Sequence, residues 1–380
     1  MSPTAPRRTA TRPLALRTRP ARLALMGAVA AFAGLTACSH DSTASEATTQ
    51  APATTASTAS TASATTSPAI PPTTSAPATS APATTAPAPE PVLAAPSGRI
   101  ALPDGYEYPE GIDVDPATGM LYAGTLFGGA IATVSPDGTV TELIPADADG
   151  RSIAIGLAVG ADRLWIAGGF DSTLYEYELD GTFVGRHVAA QGAGALNEVV
   201  VTDSGVFVTD SFQRTLWRVP AGAAADAPLE PAIDLAAQGI EYVEGAYNWN
   251  GIEQLPDGTL ITVQTATGQM YAIDPVTLTV REIPTTGDSL VDADAFVVFD
   301  EDTLFVNRNA PDTIARVDLC PELACAQVTT ALVDETLDFP TGISRRGDDL
   351  IVVAAQFDKG GPIAPGTPSR PFVLSVVPIR

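Results

Sequence analysis

The chain has 380 residues and a formal net charge of −24, from 44 acidic and 20 basic side chains, with only two histidines. A surface this acidic repels nucleic acid, and no basic patch offsets it. The two histidines, His40 and His187, are too few for a histidine-rich metal centre and leave one folded-domain candidate for a Ser-His-Asp triad.

The chain opens on a basic segment. Arg7, Arg8, Arg12, Arg17, Arg19 and Arg22 precede an uncharged run, Leu23 to Ala37. That run is shorter than the roughly 20 residues a bilayer-spanning helix needs. A basic start, a short apolar core and small residues describe an export signal over residues 1–37. Its end, LTAC at Leu35–Cys38, resembles the bacterial lipobox, in which the cysteine carries lipid; the alternative is an ordinary signal peptide and a secreted protein. The Arg7–Arg8 pair leaves twin-arginine export open. Residues 38–96 are nearly all Ala, Thr, Ser and Pro. They carry too little apolar bulk to offset the entropy of ordering, so a disordered, extended stalk is expected. The expected location is the outer face of the cell membrane, with the Cys38 lipid as the sole membrane contact.

Residues 97–380 read as one domain. Six stretches repeat a short strand, an Asp- or Gly-rich turn and a second apolar strand, starting at Glu110, Ile155, Asn197, Asn250, Asp294 and Thr341. A third strand and a weaker fourth follow most of them. Four strands at intervals of about 40 to 50 residues are the signature of β-propeller blades. The predicted fold is therefore all-β: a six-bladed β-propeller with four-stranded blades. The last repeat supplies only three strands. Ser97 to Pro103, ahead of the first repeat, reads as the strand that completes the sixth blade and closes the ring. Closure removes the open edges that would otherwise invite aggregation. Cys320 and Cys325 are expected to form a disulfide outside the cell. His187 falls on an outer strand and is expected to be exposed.

In a propeller the first strand of each blade lines the central channel. The residues at the repeat starts then converge on its mouth. Glu110, Asn197, Asn250 and Asp294 carry carboxylate or carboxamide oxygens, and Thr341 adds a hydroxyl. Asp and Asn are poor strand formers, so something besides packing favours them there. Asx residues do open strands by bonding nearby backbone. Four such residues in one register point instead to a hard-oxygen site, suited to Ca2+ or Mg2+ and poorly to zinc or copper.

These motifs resemble the regucalcin/gluconolactonase family of six-bladed propellers. The matches are Glu110 in YPEGI, Asn197 in ALNEVV, Asn250 in WNGIEQLPDG and Asp294 in DADAFVVFD. The resemblance implies that these four residues hold a divalent cation, usually Ca2+, with Mg2+, Mn2+ and Zn2+ as alternatives. Two departures stand out. The fifth-blade motif is Asp294-Ala295 rather than Asp-Gly, with Asp292 nearby as a competing ligand. Thr341 stands where the propeller phosphatase of the family carries a histidine, which argues against phosphotriester hydrolysis.

The activity implied is metal-dependent hydrolysis of a lactone or ester by a monomer acting on a small molecule. Asp294 is the first choice for both ligand and base, with Asp210 and Asp171 as further carboxylates and Arg308 to orient an anionic substrate. Phe127, Phe170, Phe212 and Phe357 occupy matching hairpins and are candidates for the pocket wall. Two insertions, QGIEYVEGAYNW before Asn250 and Phe357 to Pro371, are expected to overhang the same face. The competing reading is a non-catalytic propeller, braced by a cation, that binds a cell-envelope or extracellular partner.

Overall fold

The computed structural model describes residues 90–160, 162–189 and 191–380. The expected export signal, Cys38 and nearly all of the expected stalk lie outside the described residues. Among the described residues, twenty-five strands form six sheets. After β1 (Gly98–Ala101), the first blade comprises β2 (Pro109–Val114), β3 (Leu121–Thr125), β4 (Ile131–Val134) and β5 (Val140–Ile144). The second has β6 (Leu157–Val159), β7 (Arg163–Ala167), β8 (Thr173–Glu178) and β9 (Phe183–Val188). The third has β10 (Leu196–Thr202), β11 (Gly205–Asp210), β12 (Thr215–Pro220) and β13 (Glu230–Asp234). The fourth has β14 (Trp249–Gln254), β15 (Leu260–Gln264), β16 (Met270–Ile273) and β17 (Val280–Ile283). The short β18 (Thr285–Gly287) adds in parallel to the outer edge of the fifth blade, made of β19 (Ala293–Val298), β20 (Thr303–Arg308), β21 (Thr313–Leu319) and β22 (Ala326–Val333). The sixth has β23 (Pro340–Arg346), β24 (Asp349–Ala354) and β25 (Val373–Pro378).

The ring closes as the missing strand predicts. β1 pairs antiparallel with β25, Gly98 opposite Val376 and Ala101 opposite Val373. The zip continues beyond the predicted strand, with reciprocal backbone bonds between Val92 and Arg380 at 3.0 and 2.8 Å. The first strands neighbour one another in a cycle: β2, β6, β10, β14, β19, β23 and back to β2.

Strand alternation explains why middle strands read as unbroken apolar runs. Successive side chains point to opposite faces of a blade, and both faces are covered by neighbouring blades. On β24, Leu350 and Val352 pack toward Phe305 of the fifth blade, while Ile351 and Val353 pack toward Leu121 and Ala123 of the first. On β11, Val206 and Val208 join Trp165 of the second blade, and Phe207 joins Trp249 of the fourth. Six apolar clusters result, one at each interface between adjacent blades.

Cys320 and Cys325 are joined by a disulfide across the turn between β21 and β22, where the Cys320 N–H also bonds the Cys325 carbonyl at 2.9 Å. His187 corrects an expectation. It does lie on the outer strand β9, but its side chain is 1 % exposed. The neighbouring third blade covers it: its Nδ1 bonds the Ala227 carbonyl at 2.7 Å, and its ring packs on Trp165 with centroids 5.4 Å apart.

A candidate metal centre at the channel mouth

The first strands enter the channel through a common distortion. Pairing between first and second strands slips between Pro109 and Ile112, Leu196 and Val199, Trp249 and Ile252, Ala293 and Phe296, and Pro340 and Ile343. Each slip is a β-bulge, which leaves residues unpaired and re-aims their side chains. The residues inside the bulges include Glu110, Asn197, Asn250, Asp294 and Thr341. The side chains singled out in the sequence therefore sit where each strand turns away from ladder pairing.

The residue after each bulged position answers to a different demand. A Cβ on Gly111 would lie 2.1 Å from the Ile155 carbonyl oxygen, and one on Gly156 would lie 2.3 Å from that of Asn197. The same holds for Gly251 against Asp294 at 2.4 Å and Gly342 against Glu110 at 2.6 Å. Each blade thus presses the carbonyl of its start residue onto the preceding blade, and glycine leaves room for it. The Glu-Gly and Asn-Gly pairs are products of ring packing as well as of chemistry. The third and fifth blades carry Glu198 and Ala295 there and bond those amides to side chains, Thr209 Oγ1 at 2.9 Å and Asn307 Oδ1 at 2.9 Å. The Asp294-Ala295 departure is accommodated in this way.

Glu110, Asn197, Asn250 and Asp294 are all buried and together line one cavity of about 730 Å³. Asn197 donates through Nδ2 to Ser211 Oγ at 2.8 Å, and its Oδ1 has no hydrogen-bond partner. The Oδ1 of Asn250 is equally buried and unpartnered. Buried polar atoms are ordinarily satisfied, so two orphaned carboxamide oxygens in one ring are a signal. Asp294 Oδ2 accepts from Asn309 Nδ2 at 2.7 Å, and Asn250 also bonds this carboxylate. Burial pushes the Asp294 carboxyl up to about 7, against the lowering effect of these bonds. Glu110 is pushed well above the usual carboxylate range by burial, then by the charges of Asp294 and Glu198. Two desolvated acids and two free carboxamide oxygens form a site short of positive charge and of donors. A hard divalent cation supplies what they lack, so the donor set fits one. Among the described residues no group of three or more His, Cys, Asp and Glu side chains is arranged to hold a metal, so the fit depends on the two asparagines.

The other predicted residues divide. Thr341 is buried and donates to the Glu110 carbonyl at 2.9 Å, which ties the last blade to the first. Asp292 lines the cavity, as do Phe127, Phe170 and Phe357; Phe212 instead stacks behind Phe170, with centroids 5.9 Å apart. Both insertions contribute wall, through Tyr247 and through Gly360 to Pro365.

Asp210 is a correction. Its carboxylate is fully buried and accepts from the amides of Gly194, Ala195, Phe212 and Gln213 and from Trp217 Nε1, at 2.8 to 3.1 Å. Five donors use up its acceptor capacity. It holds the third-blade hairpin together and does not line the cavity. Asp171 spends its carboxylate on Ser152, and Arg308 donates to the Val291 carbonyl at 2.8 Å. Neither lines the cavity wall.

Several residues escaped sequence reasoning. Tyr247 lines the cavity, and burial followed by the charges of Asp294 and Glu110 pushes its hydroxyl up to about 12. Asn309 reaches Asp294 from the hairpin after β20. Asp113, Glu198 and Glu253 line a second cavity of about 250 Å³ deeper among the first strands. Burial raises Asp113 to about 6 and Glu253 to about 8, and lifts Glu198 well above its ordinary value. Within each repeat these acids sit one or three positions after the start residues, a pattern the sequence does show.

No family model matches the sequence, and no curated protein does. The fold has many likenesses among solved structures. A gluconolactonase from Xanthomonas campestris superposes with a TM-score of 0.52 at 18% identity, covering 76% of this chain and 95% of that one. A structural-genomics protein of unknown function from Bacteroides thetaiotaomicron gives 0.54 at 13%, covering 77% and 76%. A catalytically inactive variant of virginiamycin B lyase from Staphylococcus aureus gives 0.50 at 14%, covering 76% and 99%. Likeness at such identities is likeness of fold: the chain is a six-bladed propeller of the kind these proteins share, and function rests on the site itself.

Proposed function

We propose that the chain is a divalent-metal-dependent hydrolase of lactones or esters, presented outside the cell on a lipid-tethered stalk. The observation that carries this reading is the buried ring of Glu110, Asn197, Asn250 and Asp294, with its two unpartnered carboxamide oxygens, at the floor of a ligand-sized cavity. Ca2+ suits the all-oxygen donor set best. A cation held there supplies Lewis-acid polarisation of the substrate carbonyl and stabilises its developing negative charge.

The chain's own groups provide the proton chemistry. Asp294, raised by burial and oriented by Asn309, accepts a proton as a water oxygen bonds to the carbonyl carbon. The ring C–O bond then breaks, and that proton returns to the departing oxygen, which leaves as the alcohol of a hydroxy acid. Tyr247 stays protonated and serves as a neutral donor in the same cavity.

A panel of lactones and aryl esters assayed with and without EDTA tests the reading. Chelator-sensitive turnover that Asp294→Asn abolishes is the expected result. Its absence on every substrate would leave the non-catalytic, partner-binding reading in its place. Export and tethering rest on the Arg-rich start and LTAC alone; palmitate labelling that Cys38→Ser removes is the expected outcome there.

A further inference from the structure

The cavity above the ring has an uneven chemistry. Most of its polar groups belong to the ring and its surroundings, Glu110, Asn197, Asn250 and Asp294 with Thr265 and Asn309; Tyr247 and Asp292 are the others. Its walls are Leu126, Phe127, Ile153, Phe170, Phe339 and Phe357, closed on one side by a strap from Gly360 to Pro365. Among the described residues no lysine or arginine lines it. Lys359, beside the strap, turns its ammonium to Asp338 instead. A divalent cation would only balance Glu110 and Asp294, and Asp292 adds a further negative charge at the wall. A volume of about 730 Å³ is far more than one sugar ring fills, and Tyr247 and Asp292 alone add polar side chains to the wall for its hydroxyls.

The strap is a built wall and not a loose loop. Gln356 clamps the chain beyond its far end through Ser369, donating to the carbonyl at 3.1 Å and accepting from the amide at 2.7 Å. Gly360 and Ala364 close it internally at 3.0 Å. At the mouth, Phe170 and Ile363 remain 42 % and 41 % exposed, an apolar rim open to a ligand.

We propose that the cavity takes an uncharged, largely apolar lactone or ester, with the carbonyl at the ring and a long alkyl or aryl part against the phenylalanines and the strap, in preference to a sugar lactone or an anionic substrate. The assignment of the reacting end rests on the function proposed above.

Calorimetric titration of the calcium-loaded full chain with a γ-lactone series, from γ-hexalactone to γ-dodecalactone, and with D-glucono-δ-lactone tests this without relying on turnover. The dissociation constant should tighten by about fourfold per added methylene until the cavity is filled. Gluconolactone should bind no better than the shortest member. Ile363→Asp should weaken γ-dodecalactone at least tenfold and leave the calcium-induced shift in Tm unchanged. A flat series, or tighter binding of gluconolactone, overturns the inference even if hydrolysis is found. A steep series without hydrolysis of any member upholds it and removes the hydrolase reading instead.

Discussion

The third and fifth blades each bury an aspartate on the same face of the propeller, and the two have opposite fates. Asp210 ends β11 and is surrounded by five donors, four of them backbone amides, two from its own hairpin and two from the Gly194–Ala195 segment before β10. Asp294 is the second residue of β19 and is met by two asparagine side chains, beside a second carboxylate and two orphaned oxygens. A buried carboxylate saturated by amides is a structural staple, because its charge is already solvated by the protein. A buried carboxylate short of donors, next to another of its kind, is an incomplete site. What decides the role is the donor count, not burial or residue type.

The largest expected effect breaks the staple. Asp210→Ala strips five donors of their acceptor, two of them fully buried, and should destabilise the domain by roughly 3–5 kcal/mol, read in denaturant unfolding. A loss below about 1 kcal/mol would refute the staple. The fifth-blade site should instead respond to cation: calcium at a hundred times its dissociation constant should stabilise by about 2.7 kcal/mol, and Asp294→Asn should abolish that gain. Calcium without effect on the melting temperature of the wild-type chain would count against the ring as a metal centre.

The packing between blades is the next test. Gly111→Ala places a Cβ on the Ile155 carbonyl and should cost about 1–3 kcal/mol, with the calcium response reduced because the Glu110 bulge must move. A gain in stability from this change would show that the carbonyl can yield.

The pH dependence sharpens the electrostatic half of the comparison. Asp113 and Glu253 have folded values raised to about 6 and about 8. In the unfolded chain they titrate at ordinary carboxylate values, so between the two values the folded state binds more protons. Stability without metal should therefore fall as pH rises, by about 1.4 kcal/mol per pH unit for each group within its window, from about 4 to 6 for Asp113 and about 4.5 to 8 for Glu253. Melting temperatures at pH 5 and pH 8 in EDTA read this; a higher value at pH 8 would contradict it. The smallest effect expected is that of Asp294→Asn on stability without metal, within about 0.5 kcal/mol at pH 5, where the carboxyl is already protonated.

The blade count and the closing strand were legible because both follow from local pattern: strand alternation, turn residues and a repeat lacking its fourth strand. Glu110, Asn197, Asn250 and Asp294 could be picked out because they recur at one register position. Asp210 could not be separated from them in the same way. Its neighbours in VTDSF give no sign that the Gly194–Ala195 turn folds back to donate to it. His187 was misjudged for a related reason. Outer-strand membership suggests exposure, but the third blade's segment at Ala227 covers it.

By itself the sequence determined the architecture, since each blade is specified by contacts within some 45 residues and by apolar faces that only a ring can bury. It also determined which side chains reach the channel mouth. Tertiary structure alone decided which acids are satisfied. Donors arrive from loops and from adjacent blades, as Asn309 reaches Asp294 and Tyr247 enters from the insertion before β14. Glycine after the start residue is likewise a demand of the neighbouring blade's carbonyl, a contact across tens of residues that no local pattern encodes.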